Sequence, residues 1–478
     1  MNVRFATFLA AVAVAVAAST ASALPTVHPG VHRALRKDGT VDLVIELAQT
    51  TESTLESIQE AAFSSRTAKI EAIKDKLQAQ SKVASAEVEK VLSQESSGLH
   101  GGFKNFWISN QITVNSASFE LVAKLAGLSS VGTIREQEMI YIEEPQAAND
   151  ANNELVGQEW GIQRIGANKV WADGNIGQGV IVANIDTGVR FTHEALKRNF
   201  IGKNGWYDPE LESAEPYDIQ GHGSHTMGTI AGSHGVGVAP GATWLACKGC
   251  RWYETEEGPK VGCAEEDLFA CAQFMLCPTD TKGANPDCSK APRVINNSWG
   301  GAGGRPYFKG AVDAWVKAGI VPVFSQGNSG RDGCRTAGSP GDYPNVIGVG
   351  STTSTDALSD YSSKGPTVGT SRRKPDISAP GQTIRSVWNS TDSIYRTISG
   401  TSMAAPHVTG AVALLLAAQP DLAIDEVKVA LYTTTDQKGL APTNYTCGAT
   451  SDQAWPNNQF GHGRLNVFNA YEGFRPAP

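Results

Sequence analysis

No cysteine precedes position 247 in this 478-residue chain, and all eight fall between Cys247 and Cys447. The first half therefore has to hold together by packing alone. Basic clusters are also missing: 40 lysines and arginines stand against 48 acids, for a formal net charge of -8. Nucleic-acid binding needs a concentrated cationic footprint, so it is excluded. After the N-terminus no second long apolar run occurs, which excludes a membrane anchor of the usual length. Charged residues make up only 18% and hydrophobic residues 41%, the balance of a folded chain with a sizeable core. The length exceeds one ordinary domain, so two or three folded units are expected.

The start has a single Arg4, an apolar run from Phe5 to Ala18, and Ala21-Ser22-Ala23 before Leu24 and Pro25. This is a secretory signal pattern over 1–23, too short to span a bilayer and followed by the small residues at which a signal peptidase cuts. It predicts an extracellular product. The cysteines agree with that oxidising address: six crowd between Cys247 and Cys288, and Cys334 and Cys447 follow. Cys247 and Cys250 have a zinc-like Cys-x-x-Cys spacing, but the matching second pair is missing, and an even count in a secreted chain reads as disulfides. Their pairing is not legible.

Residues 24–150 read as a small α+β unit. Val41 to Leu47 is a strand candidate. Ile70, Ile73 and Leu77, then Val88, Val91 and Leu92, recur at helical spacing in one long stretch ending near Gly98. Phe106 to Ile108 and Ile112 to Val114 form a hairpin around Ser109-Asn110-Gln111, Phe119 to Leu125 a second helix, and Val131 to Ile134 a last strand. Glu143 to Asn153, with Pro145 and then small and polar residues, reads as an exposed linker and a place to cut. From 151 to 478 short apolar runs alternate with helical patterns. Val180 to Ile185, Trp244 to Ala246, Arg293 to Asn296, Ile320 to Phe324 and Val346 to Val349 are the strands; Glu265 to Leu276, Lys309 to Ala318, Met403 to Ala418 and Ile424 to Tyr432 are the helices. Such alternation predicts a three-layer, doubly wound, mostly parallel α/β sheet covered on both faces. Pro322 is awkward there, because it has no N–H for a central ladder.

Three motifs carry the chemistry: Asp186-Thr187-Gly188 after an apolar strand, Gly221-His222-Gly223-Ser224-His225-Thr226, and Gly400-Thr401-Ser402-Met403-Ala404-Ala405-Pro406-His407 opening an apolar helix. Small residues around Ser402 let a substrate backbone approach, and free amides at a helix start favour negative charge. In this order the three motifs resemble the subtilisin family of serine proteases, over roughly residues 155 to 470. The resemblance implies a subtilisin-like fold and peptide-bond hydrolysis. Ser402 is implied as nucleophile, His222 as base, Asp186 as the group that orients the imidazole, and Asn328, in Gln326-Gly327-Asn328-Ser329-Gly330, as oxyanion donor with the Ser402 amide. His225 and His407 read as packed core residues. The 24–150 unit is similar to the ferredoxin-like inhibitory propeptide of such zymogens, which plugs the site and is cut away near residues 144 to 155.

Substrate would add as a strand along Ser298-Trp299-Gly300, with Gly327 and Gly338 as a second wall. Those residues predict an open, uncharged cavity of apolar or broad preference; Asp332 or Asp342 would be the source of an acid for basic side chains. Two departures from the family stand out. The short Ser233 to Val238 loop implies loss of its strongest calcium site; no cofactor is expected to be required, calcium at another site stays open, and disulfides are expected to take over the holding of surface loops. The cysteine-rich segment and Asn296-Asn297-Ser298-Trp299-Gly300-Gly301 bring the chain closer to the bacillopeptidase F-like branch. Polypeptide substrates, the chain's own leader as inhibitor and a monomeric state complete the expectation. A peptide-binding pseudo-enzyme is opposed by the intact motifs. An α/β-hydrolase lipase is opposed by the order Asp, His, Ser and by Ala404 where Gly-x-Ser-x-Gly needs glycine.

Overall fold

The computed structural model describes residues 25–59, 63–94, 98–142, 146–147 and 157–475. The signal segment 1–23 lies outside the described residues, as does most of the linker. Seven parallel strands form the main sheet, in spatial order Ile377–Pro380, Ile347–Thr352, Val321–Ser325, Val294–Asn297, Ile181–Asp186, Thr243–Lys248 and Trp206–Tyr207. The first of these in sequence, Ile181–Asp186, is an inner strand, fifth of the seven. Later strands build outward from it on both sides, so the winding reverses at its edge, and clefts in such sheets open at the carboxyl ends of the strands there.

Side chains alternate between two cores, as period-2 geometry requires. Val182, Ala246 and Val323 pack under the helices His222–Ala231 and Thr401–Ala418; Ala183, Leu245 and Phe324 pack under Glu265–Leu276 and Lys309–Lys317. The helix Thr401–Ala418 is apolar enough to cross a membrane by composition, but 89% of it is buried in the fold. Pro322 does lie in an inner strand. Val321 N donates to Arg293 O on one side, and pairing to Ile347–Thr352 on the other begins only at Val323. The missing N–H thus points to the side where the ladder has not yet started.

The leading unit is a five-stranded sheet in the order Thr26–Val27, Val131–Glu136, Thr40–Leu47, Gln111–Ser118 and Gly102–Phe106. The predicted hairpin is present, with Phe106 opposite Gln111. The single long helix is not: it is two, Arg66–Ala84 and Ala86–Gln94, parted at the buried Ser85. The unit also holds the helix Pro29–Asp38, which opens on a proline with no capping side chain at His28. Ile70, Ile73 and Leu77 join the second core of the main sheet, so the two units share apolar interior.

All eight cysteines pair: Cys247–Cys271, Cys250–Cys263, Cys277–Cys288 and Cys334–Cys447. The zinc-like spacing is thereby explained away, since Cys247 and Cys250 have different partners. Within the linker, Gln146–Ala147 pairs antiparallel with the strand Tyr395–Ser399.

Candidate active site

Asp186 ends the strand Ile181–Asp186, and His222 opens the helix His222–Ala231 beside it. The approach depends on glycine. A Cβ on Gly223 would stand 2.1 Å from Gly188 O and 3.0 Å from the Asp186 Cβ, and Gly188 and Gly221 both have positive φ, 104° and 115°. His222 Nδ1 lies 2.7 Å from Asp186 Oδ1, and both side chains are buried. Thr187 N donates to the same oxygen at 2.8 Å. Burial opposes a charged imidazole, but the Asp186 carboxylate, with Asp218 behind it, outweighs burial and holds the His222 pKa above its ordinary value. Asp218 is itself half-buried, accepting from the Ser224 amide and hydroxyl at 2.8 and 2.6 Å.

The other two histidines behave as packing residues. His225 Nε2 lies 3.0 Å from Ile384 O and His407 Nδ1 2.8 Å from Met403 O. Burial pulls their pKa values down to about 3 and about 4, so both stay neutral.

Ser402 is the second residue of its helix, with Gly400 as N-cap. Pro406, four residues on, has no N–H to donate to Ser402 O, and the freed carbonyl accepts instead from Ser298 Oγ at 2.9 Å. Ser402 Oγ in turn donates to Ser298 O at 3.2 Å. This reciprocal pair anchors Ser402 to the end of the strand Val294–Asn297. It also means that Ser402 and His222 are not hydrogen-bonded here; His222 Nε2 is buried with no partner among the described residues.

Asn328 follows the strand Val321–Ser325. Its Oδ1 accepts from Thr401 N and Thr401 Oγ1 at 2.9 and 2.8 Å, which fixes the amide and leaves Nδ2 as a donor. A Cβ built on Gly400 would lie 3.6 Å from both Asn328 Nδ2 and Ser402 N. Two nitrogens therefore flank one small space beside the serine, the arrangement that stabilises an oxyanion.

Next to it is a cavity of about 410 Å³ lined by Ser298, Gly300, Gly301, Gly327, Gly338 and Ser402, among others. Every sequence-predicted substrate residue reaches it, though the Trp299 ring is 2% exposed and packed edge-on between Phe308 and Phe324. The expectation of an uncharged cavity is corrected: Arg335 lines it too. Asp342 is no free acid, since it accepts from Ser339 Oγ at 2.8 Å and Gly304 N at 2.7 Å. Spacing could not have shown Arg335, which is brought there by the turn that Cys334 ties to Cys447.

Part of the N-terminal unit lies in this cavity. Met139–Tyr141 pairs antiparallel with Lys260–Ala264, Ile142 N donates to Val261 O at 3.0 Å, and Tyr141 and Ile142 line the space beside Ser402. Arg135 Nη1 holds the buried Glu265 at 2.6 Å, and Lys104 Nζ holds Glu266 at 2.6 Å.

A profile described as the Subtilase family matches residues 177–463. The chain belongs to the subtilase family. This subtilase is 34% identical to bacillopeptidase F of Bacillus subtilis (strain 168) over 405 residues, 79% of its own length and 27% of that protein. It is 36% identical to alkaline serine exoprotease A of Vibrio alginolyticus over 292 residues, 59% of this chain and 47% of the other. To subtilisin DY of Bacillus licheniformis it is 33% identical over 285 residues, 59% of this chain and 92% of that one. The chain thus spans a quarter to a half of the length of the first two relatives.

Proposed function

We propose that this subtilase is a secreted serine endopeptidase, made with a signal over 1–23, an inhibitory leader and linker over 24–150, and a catalytic domain over 151–478. What carries the reading is the buried Asp186–His222 pair on a helix packed against the one near whose start Ser402 lies, with Asn328 Nδ2 and the Ser402 amide flanking one small space. The chemistry runs through these groups alone. With Nδ1–H donated to Asp186, His222 Nε2 is left with its lone pair. A turn of Ser402 Oγ from Ser298 O to that nitrogen forms the missing bond. His222 then takes the hydroxyl proton as the oxygen attacks the substrate carbonyl. The oxyanion is held by Asn328 and the Ser402 amide, and the imidazolium protonates the leaving amine. Water, deprotonated by the same imidazole, frees the acyl group.

The leader acts as an intramolecular inhibitor because its strand at Met139–Tyr141, paired with Lys260–Ala264, brings Tyr141 and Ile142 into the cavity that a substrate strand along Ser298-Trp299-Gly300 would enter. The mature protein works as a monomer without a required cofactor. A second reading, a peptide-binding pseudo-enzyme, draws on the absent Ser402–His222 hydrogen bond. Expression of the wild type beside Ser402→Ala separates the two. The wild type should mature, cut casein and take up a fluorophosphonate at Ser402, and the variant should do none of these. A wild type that binds peptides yet neither cuts nor labels would leave the pseudo-enzyme.

A further inference from the structure

Within the cavity next to Ser402 a single charged residue contributes to the wall among the described residues, and it is a cation, Arg335. It also borders an adjoining space of about 260 Å³ with Arg373, and no carboxylate lines that one either. Some guanidinium groups elsewhere in the fold find acids, as Arg135 does with Glu265, Arg190 with Asp392 and Arg464 with Asp436, and others bond backbone carbonyls, as Arg66 and Arg293 do. Among the described residues none pairs with Arg335.

Its backbone is held with care. φ at Arg335 is 62°, in the left-handed region where glycine or asparagine costs less. Arg335 N donates to Gly365 O at 3.2 Å, Thr336 N donates to Lys364 O at 2.9 Å, and the preceding Cys334 is bound to Cys447. The root of the side chain is thus pinned on both sides while its head is left exposed. A strained, fixed backbone carrying an unpaired charge into a cleft is a common mark of a recognition residue.

The leader runs into this cavity as an extended strand up to Ile142, and the sequence continues Glu143-Glu144. The first peptide this site meets is therefore acidic next to the residue that lines it.

We propose that Arg335 selects an acidic side chain, glutamate above all, at the residue whose carbonyl Ser402 attacks. This rests on the endopeptidase reading and deepens it. A carboxylate entering the cavity would meet the one charge on its wall among the described residues, in a fork geometry suited to two oxygens, with glycine at 300, 301 and 338 leaving room for the stem.

The test uses the mature enzyme and a peptide series identical except for Glu, Gln, Phe or Lys before the scissile bond. In the wild type kcat/KM for Glu should exceed that for the isosteric Gln by about tenfold, the low end for a charged hydrogen bond because Arg335 is partly in water. The ratio should shrink with added salt. Arg335→Asn, which tolerates the left-handed backbone, should bring the Glu to Gln ratio to about one, and Arg335→Glu should favour Lys. Because each ratio is taken within one enzyme, a general loss of activity does not move it. Equal rates on Glu and Gln in the wild type, or a ratio unchanged in Arg335→Asn, overturn the inference. Failure to cut any peptide, with no fluorophosphonate uptake, overturns the endopeptidase reading itself, a different result.

Discussion

Gly400→Ala is the substitution on which stability and turnover should part most cleanly. The added methyl would meet Asn328 Nδ2 and Ser402 N at 3.6 Å and Met403 Sδ at 3.7 Å, all ordinary van der Waals distances. The backbone there is extended, with φ 168°, which alanine adopts freely. Nothing in the fold has to move, and removing a glycine from the unfolded chain stabilises by roughly 0.4–1 kcal/mol. The same methyl, however, occupies the approach to both donors, where an oxyanion has to sit within about 3 Å of each. Loss of one such donor costs about 3–4 kcal/mol of transition-state stabilisation, or roughly 10²–10³ in kcat, and here two are obstructed. The variant should therefore keep or slightly raise its urea midpoint while kcat on a peptide ester falls at least about 10²-fold with KM little changed. Wild-type kcat in a folded Gly400→Ala enzyme would refute the placement of the oxyanion. So would a loss of activity tracking a lower midpoint, since it would mean that the methyl disturbs the fold instead.

Other expectations follow from the same geometry. Ser402→Ala should accumulate as precursor shortened only by its signal, by terminal sequencing; maturation of that variant with no other protease present would refute self-processing. Because Asp186 holds the His222 pKa above its ordinary value, the acid limb of kcat/KM should lie above about 6.5. Asp186→Asn should lower kcat by about 10⁴. The pair's share of stability should be full below the unfolded imidazole pKa and lost as pH rises through the folded one, seen as a Tm difference from Asp186→Asn that narrows at alkaline pH. Arg135→Ala breaks a pair whose side chains are 11% and 0% exposed. Since Arg135 also serves Glu46 within the leader, roughly 2–3 kcal/mol of the usual 3–5 should appear as weaker docking, and the released leader should inhibit about 30- to 150-fold less well. Removing Cys334–Cys447, which closes 113 residues, should lower unfolding free energy by roughly 3–5 kcal/mol in urea. A chelator should leave Tm unchanged, and a sharp drop would contradict disulfides standing in for calcium.

Sequence alone determined the elements with strong periodicity and the residues within the three motifs. Glu265–Leu276 and Phe119–Leu125 fall where the apolar spacing put them, and Asp186 does end a buried strand with His222 at a helix start. Those features are local: a strand end, a glycine before a helix and a small-residue turn all act over a few neighbouring residues, so the order of letters carries them. Only the tertiary structure decided which cysteine meets which, that the helix after residue 65 breaks at Ser85, and that Ser402 Oγ points to Ser298 O. It also decided that Arg335, from a turn with no motif of its own, shares a wall with Gly300 and Gly301. Contacts of that kind join residues scores of positions apart through the winding of one sheet, and the energy that selects them is shared over two cores rather than written at any single position.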